Sequence, residues 1–265
     1  MLGAILGDIV GSPYEFDKSD KIKDFGPLFI SRSRFTDDSV MTIAVADALM
    51  KAGTDADEKT IKKELIESLK EWARKYPYAG YGGRFWHWVS SRSSAPYGSW
   101  GNGSAMRVSS AGWLYDSLER TREVARWTAE VTHNHPDAVK GAEAVATAIF
   151  LLRNCETKKT TKEFIRDEFR YDFSRTCDEI RPSYKFDVSC QGTVPEAFTA
   201  FFEGENFEDV VRTAVSLGGD CDTLTCIACG IAEACYGIPE DLKNQTINYL
   251  KPDMQEVYER FLKSI

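Results

Sequence analysis

The chain has 265 residues, 43% of them hydrophobic, with 33 basic and 41 acidic side chains and a formal net charge of −8. That is enough apolar material for one large domain or two small ones; with no Pro- or Ser-rich linker and no low-complexity run, a single domain over 1–265 is expected. The acidic balance argues against a broad grip on nucleic-acid phosphate, so no extended nucleic-acid binding is expected, while a site for one or two phosphates stays open.

The opening run, Met1 to Gly11, is apolar and short, has no basic segment, and carries Asp8 in its middle. It reads as a first helix and not as a secretory signal. No run approaches the roughly 18 apolar residues that a membrane span needs, so a cytoplasmic chain without membrane attachment is expected. Residues 12–35 lack periodicity and are rich in Gly, Ser, Pro and aromatics, and long loops inside a compact domain are usually functional. Glu15, in Gly11-Ser-Pro-Tyr-Glu-Phe16, is either a solvated loop acid or an acid that closes over a site.

Val40, Ile43, Ala44, Ala48 and Leu49 recur at helical spacing, and Thr36-Asp37-Asp38 stands where that helix begins. Capping explains a Thr or an Asp there, because a side-chain oxygen takes an orphan N–H and acids suit the dipole. Ile61, Leu65, Leu69, Trp72 and Ala73 mark a second long helix. Residues 76–103 are again irregular. Tyr76, Tyr78, Tyr81, Phe85, Trp86 and Trp88 there form either a substrate wall or core packing. The segments 16–33 and 76–97 are expected to line the entrance to a site.

Gly98-Ser-Trp-Gly-Asn-Gly-Ser-Ala-Met-Arg107 is a Gly/Ser loop entering a helix near Ala105, a place where backbone N–H groups can hold phosphate, while Trp100 can stack on a planar base. Thr132-His-Asn-His-Pro-Asp137 precedes the helix through Val139, Ala142, Val145, Ala146, Ile149 and Leu152. Asp137 is the expected cap, and His133 is preferred over His135 as a ligand-facing residue. A third irregular piece covers 171–193.

Val210, Val211, Ala214 and Leu217 lead into Gly218-Gly-Asp-Cys-Asp-Thr223, and Leu224 to Tyr236 is apolar on nearly every face, which predicts a central helix. Capping accounts for one acid at its start but not for Asp220, Asp222 and Thr223 together, since carboxylates beside a core need pairing or a metal. Two acidic motifs supply hard oxygen ligands, and 182 positions separate Asp38 from Asp220, so tertiary folding must assemble any shared site. With three His, zinc is poorly served; magnesium or manganese fits better, calcium is possible, and carboxylates on both sides can bridge a pair of ions. Of seven cysteines, four lie within Cys221 to Cys235. Buried free thiols in a reducing compartment are expected, over a Cys226–Cys229 redox pair. The class is all-α, about ten helices in one compact domain.

Gly3 to Glu15, Phe35-Thr-Asp-Asp-Ser39, Gly101-Asn-Gly-Ser-Ala-Met-Arg107, Thr132-His133 and Ser216-Leu-Gly-Gly-Asp-Cys-Asp-Thr223, in this order, resemble the ADP-ribosylglycohydrolase family, of the dinitrogenase-reductase-activating and ADP-ribosyl-acceptor types. The resemblance runs from residue 3 to 223. It implies an all-α fold and a binuclear Mg²⁺ or Mn²⁺ centre held by Thr36, Asp37, Asp38, Asp220, Asp222 and Thr223. It implies Glu15 as the loop glutamate, acting with Asp37 and Asp222 in catalysis. It implies ADP-ribose contacts at Ser99, Trp100, Gly101, Asn102, Gly103 and His133, with Trp100 where a Tyr is common.

The implied reaction is hydrolysis at ribose C1″ of an ADP-ribosylated protein or a small ADP-ribose conjugate. Arginine, serine, a nucleic-acid base, O-acetyl-ADP-ribose and poly(ADP-ribose) all remain as acceptors. The alternatives are phosphoester hydrolysis by the same metals and an inactive member, crystallin-like or merely ADP-ribose-binding. A monomer is the default expectation.

Overall fold

In the computed structural model, which describes residues 1–16 and 18–265, the opening segment forms helix α1 (Leu2–Gly11), with every residue buried. Asp17, inside the segment 16–33, lies outside the described residues. One 3-10 turn (Ser12–Tyr14) follows. Helix α2 (Asp37–Ala52) starts at Thr36, whose hydroxyl accepts from Asp38 N, and stops at Gly53, where φ is +86° and a side chain would be strained. Helix α3 (Glu58–Lys75) turns Ile61, Leu65, Leu69, Trp72 and Ala73 inward at the expected spacing.

The stretch 76–103 is not wholly irregular. Helix α4 (Gly83–Ser90) forms there because Phe85, Trp88 and Val89, three and four positions apart, bury one face. Two four-residue helices, α5 (Gly103–Met106) and α6 (Ala111–Leu114), lead to α7 (Leu118–Glu130) and α8 (Pro136–Arg153). The cap of α8 is His135, not the expected Asp137. Its ring accepts from Asp137 N, and Pro136 takes the first helical position, where no N–H is needed.

Helix α9 (Lys158–Phe169) precedes α10 (Cys177–Ile180), four residues long and held by a capping box of Thr176 and Glu179 inside the third irregular piece. Then come α11 (Cys190–Glu203), α12 (Phe207–Leu217), α13 (Cys221–Tyr236), α14 (Glu240–Tyr249) and α15 (Pro252–Leu262). Fifteen α-helices among the described residues exceed the ten or so expected. Three of the surplus are single turns, too short to show a period. The all-α class stands, in one compact helical domain: the only strand-like pairing among the described residues is an isolated bridge, Gly101 to Ser189.

Helix α13 is the central one, as its all-round apolarity predicts: Cys221 to Ala232 are buried without a break. It packs on α1, α8, α11 and α12. Its contact with α1 is unusually close. A Cβ on Gly3 would stand 2.4 Å from Cys229 O, one on Gly7 2.3 Å from Thr225 O, and one on Gly11 2.6 Å from Cys221 O. Glycine every fourth residue therefore lets two antiparallel helices touch backbone to backbone. The contact sets Asp8, late on α1, beside Asp222, early on α13. All seven cysteines are free, with Cys221, Cys226 and Cys229 buried and Cys235 half-buried. No helix among the described residues is long and apolar enough to cross a membrane.

Candidate active site

The site is built around Asp8. Its carboxylate accepts from Thr36 N at 2.8 Å, Thr36 Oγ1 at 2.7 Å, Ser39 N at 3.0 Å and Ser39 Oγ. Three donors fall on Oδ2 and one on Oδ1, so Asp8 clamps the start of α2 against α1. Thr36 spends its hydroxyl proton on Asp8 and takes Asp38 N as a cap at 3.3 Å. The capping reading of Thr36 is thus realised in full.

Asp37 and Asp38, in the first turn of α2, and Asp220 and Asp222, at the start of α13, converge with Glu15. Carboxylate oxygens of Asp8, Asp38 and Asp222 lie within 4.8 Å of one another, as do those of Glu15, Asp220 and Asp222. Asp222 belongs to both groups. Thr223 Oγ1 donates to Asp38 Oδ2 at 3.2 Å, while Asp38 Oδ1 is buried with no partner among the described residues. Asp220 holds the N-cap position of α13 yet makes no cap bond. Its Oδ2 instead accepts from Asn102 Nδ2 at 2.7 Å, and Asn102 is pinned by Thr193 Oγ1 at 3.0 Å and, through its own N–H, by Val188 O at 2.8 Å.

Such crowding is costly for free carboxylates. Burial, then Asp8 and Asp220, push Asp37 to about 8. Burial, then Asp220, push Glu15 to about 7. Asp38 and Asp222 are held well above the ordinary range by burial and by their acidic neighbours. Buried like charges with an orphaned oxygen, all hard donors, fit a divalent cation.

These groups form the floor of a cavity of about 440 Å³, inside the usual range for a small-molecule site. Every residue expected at the site lines it except Thr36, which lies beneath. The opposite wall carries Ser99, Trp100, the Gly101–Gly103 turn, Tyr97 and His133. Trp100 is 45% exposed and lines the cavity. Arg84 and Arg107 bring positive charge to the Tyr97–His133 side. The cavity therefore has an acidic floor and a basic flank.

The segment 76–97 lines the cavity as expected, through Gly80, Gly82, Gly83, Arg84, Phe85 and Tyr97, while 16–33 and most of the aromatics depart from expectation. Of the segment 16–33 only Phe16 reaches the cavity among the described residues, and of the six aromatics in 76–88 only Phe85 does. Tyr76 donates to Asp253 at 2.6 Å and stacks on Trp72, Tyr81 stacks on Trp86, Trp88 is buried, and Tyr78 is fully exposed. Phe186 and Val188 complete the mouth, with Phe186 4.9 Å from Phe16 ring to ring. Reading the residues alone passes over Asp8, Arg84, Tyr97, Arg107, Phe186 and Val188 as site residues. A lone acid inside an apolar run was the available sign for Asp8. Nothing in the irregular piece 171–193 marks Phe186.

The family model for ADP-ribosylglycohydrolase matches residues 1–265. The chain is similar to ADP-ribosylhydrolase ARH3 of Bos taurus, 25% identical, over 100% of this chain and 93% of that protein. It is similar to the ADP-ribosylarginine hydrolase Tri1 of Pseudomonas putida (strain GB-1), 26% identical, over 90% of this chain and 70% of that protein. A solved structure described as an ADP-ribosylglycohydrolase-related protein complex superposes with a TM-score of 0.71 at 22% identity, covering 99% of this chain and 96% of that one, a likeness of fold.

Proposed function

The chain belongs to the ADP-ribosylglycohydrolase family, hydrolases acting on glycosyl bonds, and on that premise we propose that it cleaves the bond between ribose C1″ of ADP-ribose and an acceptor, using two divalent cations, Mg²⁺ or Mn²⁺. The observation that carries this reading is that Asp222, on the cavity floor, belongs to two carboxylate groups, one with Asp8 and Asp38 and one with Glu15 and Asp220. A residue so placed can bridge two ions, and Asp38 Oδ1 is left free to meet one. Thr36, Asp37, Asp38, Asp220, Asp222 and Thr223 would hold the pair, with Thr36 kept in register by Asp8. Bound there, the ions would orient ribose hydroxyls and acidify a water.

The protein's own groups do the rest. Glu15, which titrates near neutrality, takes the proton of the attacking water. Asp37 and Asp222 face the positive charge that develops on the ribose and lower its energy. Ser99, the Gly101–Gly103 backbone and His133 hold the diphosphate on the basic flank, and Trp100 stacks on the adenine. An acidic floor beside a basic flank matches a ligand with a sugar at one end and a diphosphate behind it.

The substrate is an ADP-ribosylated protein or a small ADP-ribose conjugate. The acids stand at every expected position, which favours activity over a crystallin-like or binding-only role. Seven free thiols suit the cytoplasmic setting proposed. We also propose a monomer. The test is release of ADP-ribose from arginine- and serine-linked substrates, with Mg²⁺, with Mn²⁺ and with a chelator. Asp222→Asn should lose activity more than about a hundredfold, the upper range for a residue that only supports a ligand, with helicity unchanged. Full activity in Asp222→Asn, or in chelator, would overturn the proposal.

A further inference from the structure

Arg107, in the cavity wall, has no acidic partner among the described residues. Arg107 is 1% exposed, and its hydrogen bonds go to neutral oxygens: its Nη2 donates to Thr128 O at 2.9 Å and to Thr132 Oγ1 at 2.7 Å. Thr132 is fully buried, and its Oγ1 lies 2.7 Å from His133 Nδ1. These neighbours decide where the protons sit. A guanidinium only donates, so Thr132 Oγ1 accepts from Arg107. The hydroxyl proton then needs an acceptor of its own, since buried polar groups are seldom left unpaired. Among the described residues His133 Nδ1 is the one within reach. Were Nδ1 protonated instead, two donors would converge on one hydroxyl whose own proton had no partner. Nδ1 is therefore the acceptor, and Nε2 carries the N–H.

Nε2 faces the Gly101–Gly103 turn. A Cβ on Gly103 would come within 3.1 Å of it and one on Gly101 within 3.6 Å, so both glycines keep that nitrogen open. Tyr97 meets the ring edge-on at 5.7 Å between centroids and fixes its plane. We infer that Arg107 and Thr132 are positioning residues: together they lock His133 as its Nε2–H tautomer and so present one N–H donor to an anionic oxygen of the ligand. Burial and the Arg107 charge also hold His133 well below its ordinary pKa, so the donor stays a neutral imidazole. The ligand half of this inference rests on the ADP-ribose reading, and the tautomer half does not.

Ring ¹⁵N NMR tests it directly, because the chain has three His and His133→Gln identifies the signal that matters. From pH 6 to 8 the wild type should show Nε2 protonated and Nδ1 bare. Thr132→Val should move those shifts toward a tautomer mixture and weaken ADP-ribose binding, read by calorimetry with Mg²⁺ present, by about tenfold. Thr132→Ser should restore both. A wild-type His133 protonated on Nδ1 overturns the inference, as does Thr132→Val with shifts and Kd unchanged. If Thr132→Val fails to fold, the wild-type spectrum decides the matter alone. If the wild type binds no ADP-ribose, the functional reading falls, and the ring nitrogens still decide the relay.

Discussion

Raising the pH from 6.5 to 8 in chelator is expected to destabilise the protein, and Asp37→Asn is expected to remove part of that loss. Asp37 has an ordinary value of 3.8 and is pushed to about 8 in the fold. The folded state therefore binds the proton more tightly than the unfolded chain, so its contribution is full below the ordinary value and is lost as pH rises through the folded one. Integrated, this single group favours folding by about 2 kcal/mol at pH 6.5 and about 0.4 kcal/mol at pH 8. The difference corresponds to a fall in Tm of about 3–6 °C, at roughly 2–4 °C per kcal/mol for a domain of this size. Glu15, Asp38 and Asp222 are raised by burial too and act in the same sense.

His133, held down by burial and Arg107, acts in the opposite sense. By pH 6.5 an unfolded histidine has already lost half its protons, which leaves it only about 0.4 kcal/mol to contribute. The assay is thermal unfolding by circular dichroism at the two pH values, with chelator and with Mg²⁺. At pH 8 in chelator, Asp37→Asn should melt above the wild type; Mg²⁺ should raise the wild type far more than the variant. A wild-type Tm that is flat or rising over this window, or a variant that melts lower than the wild type at pH 8, would refute the reasoning.

Two further outcomes follow from the packing. Gly7→Ala drives a methyl to 2.3 Å from Thr225 O, so α1 and α13 must part; it should cost about 3 kcal/mol, the upper range for overpacking, and weaken Mg²⁺ binding, with urea unfolding and titration as the measurements. Asn102→Ala removes the donor that holds Asp220 Oδ2. It should lower divalent-cation affinity about tenfold or more at little cost in Tm, and an unchanged affinity would show that Asp220 needs no such support.

What could be read in advance follows from how local each cause is. Periodicity in Ile61 to Ala73 decides which face of α3 is buried, and it did so without help from the rest of the chain. The density of apolar residues after Thr223 made α13 central on the same grounds. Thr36 was harder, because one hydroxyl serves equally as a cap or as a ligand; the fold shows it engaged with Asp8 and Asp38 N. Asn102 read as a substrate contact, yet its amide also braces Asp220, a partner 118 positions away. The entrance was the least legible part. Phe186 and Val188 reach the mouth through the pairing of 186–190 with the 100–102 turn, where Asn102 N donates to Val188 O and Cys190 N to Trp100 O, and no period or turn signal announces such a contact.

The glycine seam between α1 and α13 also bears on how the protein comes into being. Asp8 and Asp222 stand 214 positions apart in a chain made from the amino end. Helix α1 leaves the ribosome with a surface apolar but for Asp8, and the surface that it is cut to fit is made some 214 positions later. Until then the nascent chain carries a greasy rod without a seat, the kind of exposed surface that holds up folding of non-local structures and invites chaperones. Synthesis that halts before α13 leaves Asp220 and Asp222 unmade, so the acidic floor cannot be assembled until that helix has followed.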